Sequence, residues 1–170
     1  TRLNVLNYAF KKWQPTDNYY DFCNSNSFWL EDYALFCALK EEFNGKPWYE
    51  WDKDIKTCEC YAEEKYKQRL SDTIEFHKFL QYVFFKQWNS LKRYANDKGI
   101  CIIGDIPIYA SYDSCDCWKN PKLFKLNKNL EPAFVAGCPP DGFSPKGQLW
   151  GNPVYDWSRM ELSRIFGIDE

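Results

Sequence analysis

Four clusters of carboxylates, amides and aromatic rings lie close together in the C-terminal part of the chain. Glycine and proline punctuate all four, which is typical of loops. Ionised carboxylates accept hydrogen bonds, amides both donate and accept them, and aromatic rings offer flat apolar faces. Side chains of these three kinds could together hold a polyhydroxylated ligand such as a sugar. The clusters span residues 104–109, 112–118, 137–144 and 147–157.

The same residues also have a purely structural interpretation. Asp and Asn can make local turns, and aromatic rings can pack a loop onto the body of a fold. Asp105, Asp113, Asp116 and Asp141 are all available as paired carboxylates. A retaining glycosidase needs two carboxyl groups about 5–5.5 Å apart, and a sequence specifies no distances. The chemistry alone leaves both interpretations open.

The eight cysteines offer a second possible chemistry. Cys58 and Cys60 form one Cys-x-Cys pair, and Cys115 and Cys117 form another. Zinc sites usually use Cys pairs separated by about two to four residues, often with histidine. The single histidine, His77, is adjacent to neither pair. We therefore predict no metal site and no disulfide framework, and expect reduced cysteines that pack as small hydrophobic residues in a cytoplasmic protein.

Composition is typical of a globular domain and excludes two classes of partner. Hydrophobic residues make up 45% of the 170 residues, and the net charge is −2. Lysine and arginine are scattered among acids, so the sequence has no basic patch and we predict no nucleic-acid partner. No apolar stretch approaches the roughly 18 residues of a membrane helix, and residues 1–20 show no signal-peptide pattern. Aromatic residues reach 19%, which suits an aromatic core, sugar binding or both.

Hydrophobic spacing predicts helices ahead of the four clusters. A short helix is predicted to end near Trp13, before Pro15. Apolar residues then recur every three or four positions from residue 29 to residue 43, after polar residues 24–27 that favour a helix start. Residues 46–70 are predicted to form mainly a loop with a short helical stretch.

A longer helix is predicted from residue 73 to residue 98. Asp72 and Glu75 resemble a capping box at its start, and Gly99 is a natural C-terminal cap. One apolar face is predicted to pack in the core. That face comprises Phe76, Leu80, Val83, Phe84, Leu91 and Ala95.

A buried strand is predicted directly after this helix. Residues 100–103 form a continuous apolar run that ends at Gly104 and Asp105, and such runs are typical of parallel strands covered on both faces. In a (β/α)8 barrel the carboxyl ends of the strands face the active site. A whole barrel needs all eight strands and roughly 250 residues. The chain is therefore predicted to be part of a barrel enzyme, or a different α/β domain.

Taken in order, the clusters resemble the 4-α-glucanotransferases, glycoside hydrolase family 77. The similarity covers most of the chain, from about residue 27 to residue 160. Its most specific segments are residues 137–141 and 147–153, and further similarity lies at residues 29–36, 81–88 and 102–105.

This resemblance implies both a fold and a reaction. Residues 1–170 would be a partial catalytic domain of α/β class, part of the (β/α)8 TIM barrel of the α-amylase clan with helical insertions. Residues 27–98 would be mainly helical insertion and barrel helix, 100–105 a barrel strand, and 106–157 a long substrate-binding loop region. The family transfers a segment of an α-1,4-glucan to the 4-hydroxyl of another glucan or glucose by a retaining double displacement. Maltodextrins, starch or glycogen would be the partners, and the chemistry needs no cofactor.

Individual residues also acquire roles through the resemblance. Asp141, Phe143, Gln148 and Trp150 match a loop that reaches over the donor sugar, so they are predicted to bind substrate. Asp105 matches an aspartate that supports the catalytic centre by hydrogen bonding. Asn152 is predicted to support the site by shaping the loop, as are Tyr155 and Trp157. Gly142 departs from the aromatic residue often found at its position.

The resemblance places the catalytic residues outside this chain. The family's nucleophilic aspartate lies in an Arg-x-Asp-His type motif downstream of the Trp157 region, and its acid/base glutamate and a further aspartate follow. The chain ends at Glu170 and has no such motif. An N-terminal tyrosine loop is also expected to be missing, because Thr1 begins too late. We expect the chain alone to be inactive, and a non-catalytic glucan-binding module is the alternative.

Overall fold

The computed structural model describes residues 2–159, which divide into two compact units. Unit 1 comprises residues 2–46 and 59–105, and unit 2 comprises residues 47–58 and 106–159. In chain order the elements are α1 (Arg2–Lys12), α2 (Asp17–Ser25), α3 (Ser27–Glu42), α4 (Lys53–Lys56), α5 (Cys60–Arg69), α6 (Ser71–Asp97), α7 (Cys115–Lys119), β1 (Val135–Cys138) and β2 (Gln148–Pro153), with 3-10 turns at Trp48–Glu50 and Pro121–Leu123.

Unit 1 is helical, and α6 contacts each of its other helices. The helix α3 appears where the apolar spacing predicted it. Five of its buried residues recur on one side, and Phe36 is buried outside that row: Leu30, Ala34, Leu35, Ala38 and Leu39 form the row. Its start differs from expectation, because the Asn26 side chain caps no backbone amide. Asn26 Oδ1 instead accepts from Trp29 Nε1 at 3.1 Å. The helix α1 ends before Trp13 and Pro15 as predicted, and α2 was not predicted.

The helix α6 begins without the predicted capping box. It follows α5 after a single residue, Leu70, and no side chain caps it. Because the chain is already helical on both sides of Leu70, Asp72 and Glu75 lie inside the helix rather than before it. Glu75 accepts a hydrogen bond from Tyr19 Oη at 2.7 Å instead. The helix therefore begins by a direct turn from α5.

The end of α6 confirms the predicted glycine cap. Gly99 has a φ of +73°, in the left-handed region that glycine adopts without steric cost. Its amide donates to Asn96 O at 2.9 Å, and the Ile100 amide donates to Ala95 O at 3.0 Å. These two bonds are those of a Schellman motif, which satisfies carbonyl groups left free at the end of the helix.

Only the first half of the predicted apolar face of α6 is buried. Ile74, Phe76 and Phe79 lie in the core of unit 1. Phe84 and Leu91 are each 55% exposed. The prediction of one continuous core face is therefore wrong for the second half of the helix, because no described element of unit 1 covers it.

The strand predicted at residues 100–105 is not present. The described structure assigns no strand there, and Ile103 is 93% exposed. A strand requires a neighbour with which to exchange backbone hydrogen bonds, and unit 1 contains only helices among its described residues. Residues 100–103 have the apolar composition of a buried strand, but they do not form a strand in this structure.

Unit 2 is built around buried tryptophans. Trp48 and Trp118 are fully buried. The Trp48 indole donates to Tyr112 O at 2.6 Å, and the Trp118 indole donates to Ile55 O at 2.9 Å. Each ring thus buries a large apolar surface while its N–H group keeps a partner. The segment 46–70, predicted to be mainly loop, is largely helical, since it contains α4 and α5. It also supplies Trp48 to the core of unit 2.

The long segment from residue 106 is more ordered than predicted. It contains α7 and an antiparallel hairpin of β1 and β2. Ser114 caps α7 by accepting from the Cys117 amide. Gly137 pairs with Leu149, and a Cβ at Gly137 would overlap the Gln148 carbonyl oxygen. The strands approach so closely there that only glycine fits.

Candidate functional site

The loop between β1 and β2 is organised by one aspartate. Asp141 Oδ1 accepts from the Phe143 amide at 2.9 Å and from the Ser144 amide at 2.7 Å. The Asp141 amide donates to Ser144 O at 3.0 Å, and Ser144 Oγ donates to Gly147 O at 2.8 Å. An aspartate that bonds the backbone two and three residues on is an Asx turn. The structural role considered for these residues is therefore present at Asp141.

This turn uses only one oxygen of the carboxylate. Among residues 2–159, no group hydrogen-bonds to Asp141 Oδ2, and the residue is exposed. An exposed, ionised carboxylate oxygen can accept hydrogen bonds from a hydroxyl-bearing ligand. Phe143, at the tip of the turn, is 98% exposed. The turn therefore presents an acceptor and an apolar ring from one short segment.

Gln148 and Trp150 form a pair on β2. Trp150 Nε1 donates to Gln148 Oε1 at 2.9 Å, and the Trp150 side chain is 48% exposed. The bond holds the indole in one orientation and leaves part of its surface open. The Gln148 amide nitrogen has no hydrogen-bond partner among the described residues, so the pair offers a donor beside a flat ring.

A break in strand register lies next to this pair. Val135 faces Pro153 and Gly137 faces Leu149, so β2 has two more residues than β1 between these two pairs. The additional residues fall among Trp150, Gly151 and Asn152, and Gly151 has a φ of +79°. Bulges bend a strand and redirect its side chains. The irregularity therefore determines where Trp150 and Asn152 point.

Asn152 helps to hold a distant backbone segment. Its side-chain amide donates to Ala110 O at 2.9 Å, and the Ala110 amide donates to Tyr155 Oη at 3.2 Å. The backbone carbonyl and the backbone amide of Ala110 are thus both hydrogen-bonded, the first by Asn152 and the second by Tyr155. The contact supports a loop-shaping role for Asn152 and Tyr155.

Tyr109 is a residue that the sequence did not single out. Its ring centroid lies 6.1 Å from that of Trp150 and 6.2 Å from that of Tyr155. Tyr109 belongs to the first of the four clusters, but nothing in its spacing links it to β2. Only the folded chain brings these rings together.

Asp105 belongs to unit 1, whereas the other predicted site residues all belong to unit 2. It is exposed and follows the segment that forms no strand. Asp141, Phe143, Gln148, Trp150 and Asn152 lie on a single hairpin and its loop. The structure therefore groups five of the six predicted site residues in one unit.

Burial raises the pKa of two phenols and one thiol in unit 2. Desolvation raises the pKa of Tyr112 and that of Cys117 to about 12, and it raises the pKa of Tyr155. Asp156 behaves oppositely, since a hydrogen bond from Ser158 lowers the pKa of its carboxyl group. A thiol with a raised pKa is a poor nucleophile. Cys117 is thus a core residue rather than a reactive one.

The described residues show neither a metal cluster nor a membrane span. Within residues 2–159, no three His, Cys, Asp or Glu side chains gather in a way that could hold a metal ion. The eight cysteines all lie in this range, and no disulfide joins any of them. None of the described helices combines the length and apolar character needed to cross a membrane.

Comparison with known proteins shows extended similarity. The family model for 4-alpha-glucanotransferase, glycoside hydrolase family 77, matches residues 1–164. A 4-alpha-glucanotransferase of Aquifex aeolicus is 52% identical over 157 residues, which are 92% of this chain and 32% of the relative. One from Clostridium butyricum is 51% identical over 167 residues, 96% of this chain and 34% of the relative. The chain thus spans about a third of the length of these relatives.

A solved structure resembles the fold. It is an amylomaltase from Streptococcus agalactiae in complex with acarbose, with a TM-score of 0.86 and 47% identity, covering 92% of this chain and 32% of that chain. The family resemblance inferred from the residue clusters is confirmed by these matches. This chain belongs to the 4-alpha-glucanotransferase family, glycoside hydrolase family 77.

Proposed function

We propose that this chain is a segment of a 4-α-glucanotransferase, and that it forms part of a catalytic (β/α)8 barrel. The reaction is transfer of an α-1,4-glucan segment to the 4-hydroxyl of another glucan or glucose by a retaining double displacement. The observation that carries the proposal is the family match over residues 1–164. In that barrel, residues 100–105 gain the neighbouring strands that unit 1 lacks. The eight thiols, none of them in a disulfide, suit a reducing compartment such as the cytoplasm.

The glucan-binding surface in this proposal is the β1–β2 hairpin. Asp141 Oδ2 accepts a hydrogen bond from one glucose hydroxyl group. The side-chain amide nitrogen of Gln148 donates a hydrogen bond to another. Trp150 offers a partly exposed face for the C–H surface of a pyranose ring, and Phe143 offers a second. Their hydrogen bonds support this role, because the turn holds Asp141 and the Trp150–Gln148 bond holds the indole, and groups held in place lose less freedom on binding.

Asn152 and Asp105 support the site in this proposal by holding other groups in place. Asn152 holds Ala110 and thereby fixes the segment after Pro107 beside β2. Asp105 hydrogen-bonds a glucose unit or a catalytic side chain at the carboxyl end of its strand. The nucleophile and the acid/base are not among residues 1–170 in this proposal, so this chain binds and positions glucan while other carboxylates react. Maltodextrins, starch and glycogen are the candidate substrates.

Two assays test the proposal. The 170-residue chain is incubated with maltotriose, and glucose and longer maltodextrins are measured; we expect neither product. The matching segment of Streptococcus agalactiae amylomaltase is then replaced by residues 1–164 of this chain, and we expect transfer to persist. Product ladders from the isolated chain would contradict the assignment of the catalytic residues elsewhere.

A hybrid that folds and binds acarbose but transfers nothing would instead favour the alternative, a non-catalytic glucan-binding module. The exposed ring of Phe143 and the partly exposed ring of Trp150 are the observation that keeps this alternative open, since binding alone needs no more. A hybrid that neither binds nor transfers would contradict both functions.

A further inference from the structure

We propose that Tyr109 is a further substrate-binding residue that contacts the glucan beside Trp150, its ring forming a second wall and its hydroxyl bonding a glucose unit. This inference rests on the proposed function and extends its binding surface to a residue outside the hairpin. It is carried by the ring geometry, by a Tyr109 hydroxyl with no hydrogen-bond partner among residues 2–159, and by the backbone bonds that hold its neighbour.

The rings of Tyr109 and Trp150 form an open corner. Their centroids are 6.1 Å apart and their planes meet at 52°. Such a corner is too open for the two rings to stack fully on each other, and Trp150 remains 48% exposed. A pyranose whose C–H face packs on Trp150 would therefore present its edge, with its hydroxyl groups, to Tyr109.

The Tyr109 hydroxyl is available for such a contact. Among residues 2–159 it has no hydrogen-bond partner, and the side chain is half-buried. Neighbouring phenols in unit 2 are used differently: Tyr112 Oη donates to Leu130 O at 2.7 Å, and Tyr155 Oη accepts from the Ala110 amide. A phenol can both donate and accept, which suits a sugar hydroxyl.

An aromatic row connects Tyr109 to the core of unit 2. Phe124 is 5% exposed and its ring lies 5.0 Å from that of Tyr155. Tyr155 in turn lies 6.2 Å from Tyr109, with planes 12° apart. The row leads from a buried ring to the exposed face of Trp150. Tyr109 thus has Tyr155 and Trp150 as ring neighbours, and its side chain remains partly exposed.

The position of Tyr109 is also set through the backbone. Ala110, the next residue, is bonded at its carbonyl by Asn152 and at its amide by Tyr155. These bonds restrain the backbone next to Tyr109, so little conformational freedom remains to be lost when a sugar binds. Asn152 and Tyr155 are therefore positioning residues for Tyr109.

The test compares Tyr109→Phe and Tyr109→Ala in the amylomaltase hybrid that carries residues 1–164. We expect Y109F to raise KM for maltotriose and weaken acarbose binding about threefold to tenfold, the effect of one lost hydrogen bond, with kcat changed less. Y109A removes the ring as well and should weaken binding by about tenfold to hundredfold. The thermal midpoint of Y109F should match that of the parent.

Tyr49→Phe is the matched control. Tyr49 is also a half-buried tyrosine of unit 2, but its ring stacks on Tyr112 at 4.4 Å rather than beside Trp150. We expect Y49F to leave KM and acarbose affinity unchanged. A fluorescence titration of the 170-residue chain and its Y109F variant with acarbose repeats the comparison without the catalytic residues.

The outcomes separate the two proposals. If the unsubstituted hybrid transfers glucan and Y109F and Y109A leave KM and acarbose affinity unchanged, the role of Tyr109 is refuted and the proposed function stands. If the unsubstituted hybrid neither transfers glucan nor binds acarbose, the proposed function is refuted and the role of Tyr109 with it. A KM increase in Y49F equal to that in Y109F would reduce the effect to packing and also refute the contact.

Discussion

Trp150 is tied to Gln148 by a hydrogen bond of 2.9 Å between the indole nitrogen and the side-chain oxygen. One residue separates them on β2, and the bond joins their side chains although Trp150 lies in the register irregularity. The bond fixes the rotation of an indole that is only half covered. A rigid aromatic face loses less freedom on binding than a mobile one. The glucan contact proposed for Trp150 therefore depends on the hydrogen bond that Gln148 accepts from its indole.

Substitution of Gln148 tests this link. Gln148→Ala removes the acceptor and frees the indole, and we expect glucan affinity in the hybrid enzyme to fall by about 1–2 kcal/mol. Gln148→Glu keeps an acceptor for the indole but removes the amide donor, so its loss should be smaller. Acarbose titration measures both. Equal affinities in all three proteins would show that neither group contributes.

Asp141 combines two roles that substitutions can separate. Asp141→Asn keeps an oxygen that can accept from Phe143 and Ser144, so the turn should persist while the charge on the carboxylate disappears. We expect weaker glucan binding with little change in thermal stability. Asp141→Ala removes the acceptor as well, and we expect it to destabilise the loop by about 1 kcal/mol. A melting experiment and a binding titration on the same two variants distinguish these effects.

The sequence predicted some elements well because their signals are local. Apolar spacing indicated α3, and the glycine cap at Gly99 depends only on backbone conformation. The site residues on the hairpin were named through family resemblance, since Asp141 and Gln148 have no spacing that distinguishes a ligand contact from a turn. The structure then grouped them on one loop. Local sequence signals were thus sufficient to predict these helical features, whereas the site residues were predicted only through the family resemblance.

Errors arose where the outcome depended on distant partners. The run at residues 100–103 has the composition of a buried strand, but a strand forms only beside another strand, and unit 1 supplies none among its described residues. The capping box at Asp72 failed because α5 lies immediately before it. Tyr109 was missed because its neighbours Trp150 and Tyr155 are about forty residues away in sequence.

The core of unit 2 should be sensitive to loss of Trp118. Trp118→Phe removes the indole donor to Ile55 O, which still accepts from the Cys58 amide at 3.2 Å, so the loss should be about 0.5–1.5 kcal/mol of unfolding free energy. Trp118→Ala also opens a large cavity and should cost about 3–5 kcal/mol. Denaturant unfolding of the 170-residue chain, followed by tyrosine and tryptophan fluorescence, measures both losses. A small, equal loss in the two variants would contradict the role given to this ring.

Cys117 predicts a dependence of stability on alkaline pH. Burial raises the pKa of its thiol from an ordinary value of 9.0 to about 12 in the folded chain. The folded state therefore holds this proton more tightly than the unfolded state. Its contribution is fully present below pH 9, and stability declines as pH rises from there towards 12. Cys117→Ala should flatten this decline in a series of melts across that pH range.

Thiol labelling gives the kinetic counterpart. At about pH 8, exposed Cys60 and Cys101 should react with iodoacetamide first, and buried, protonated Cys117 should react last. Mass spectrometry of timed samples identifies the order. Early labelling of Cys117 in the folded chain would contradict its burial.

The uncovered half of α6 predicts that the isolated chain self-associates. Phe84 and Leu91 are each 55% exposed, and Tyr94 on the same half of the helix is 64% exposed. Exposed apolar surface of this kind promotes association. Phe84→Ser with Leu91→Ser should shift the chain towards monomer in analytical ultracentrifugation. The same pair placed in the amylomaltase hybrid should instead destabilise it, because the proposed barrel covers this face. A soluble monomer with a sharp, reversible melt before any substitution would argue that the face needs no cover.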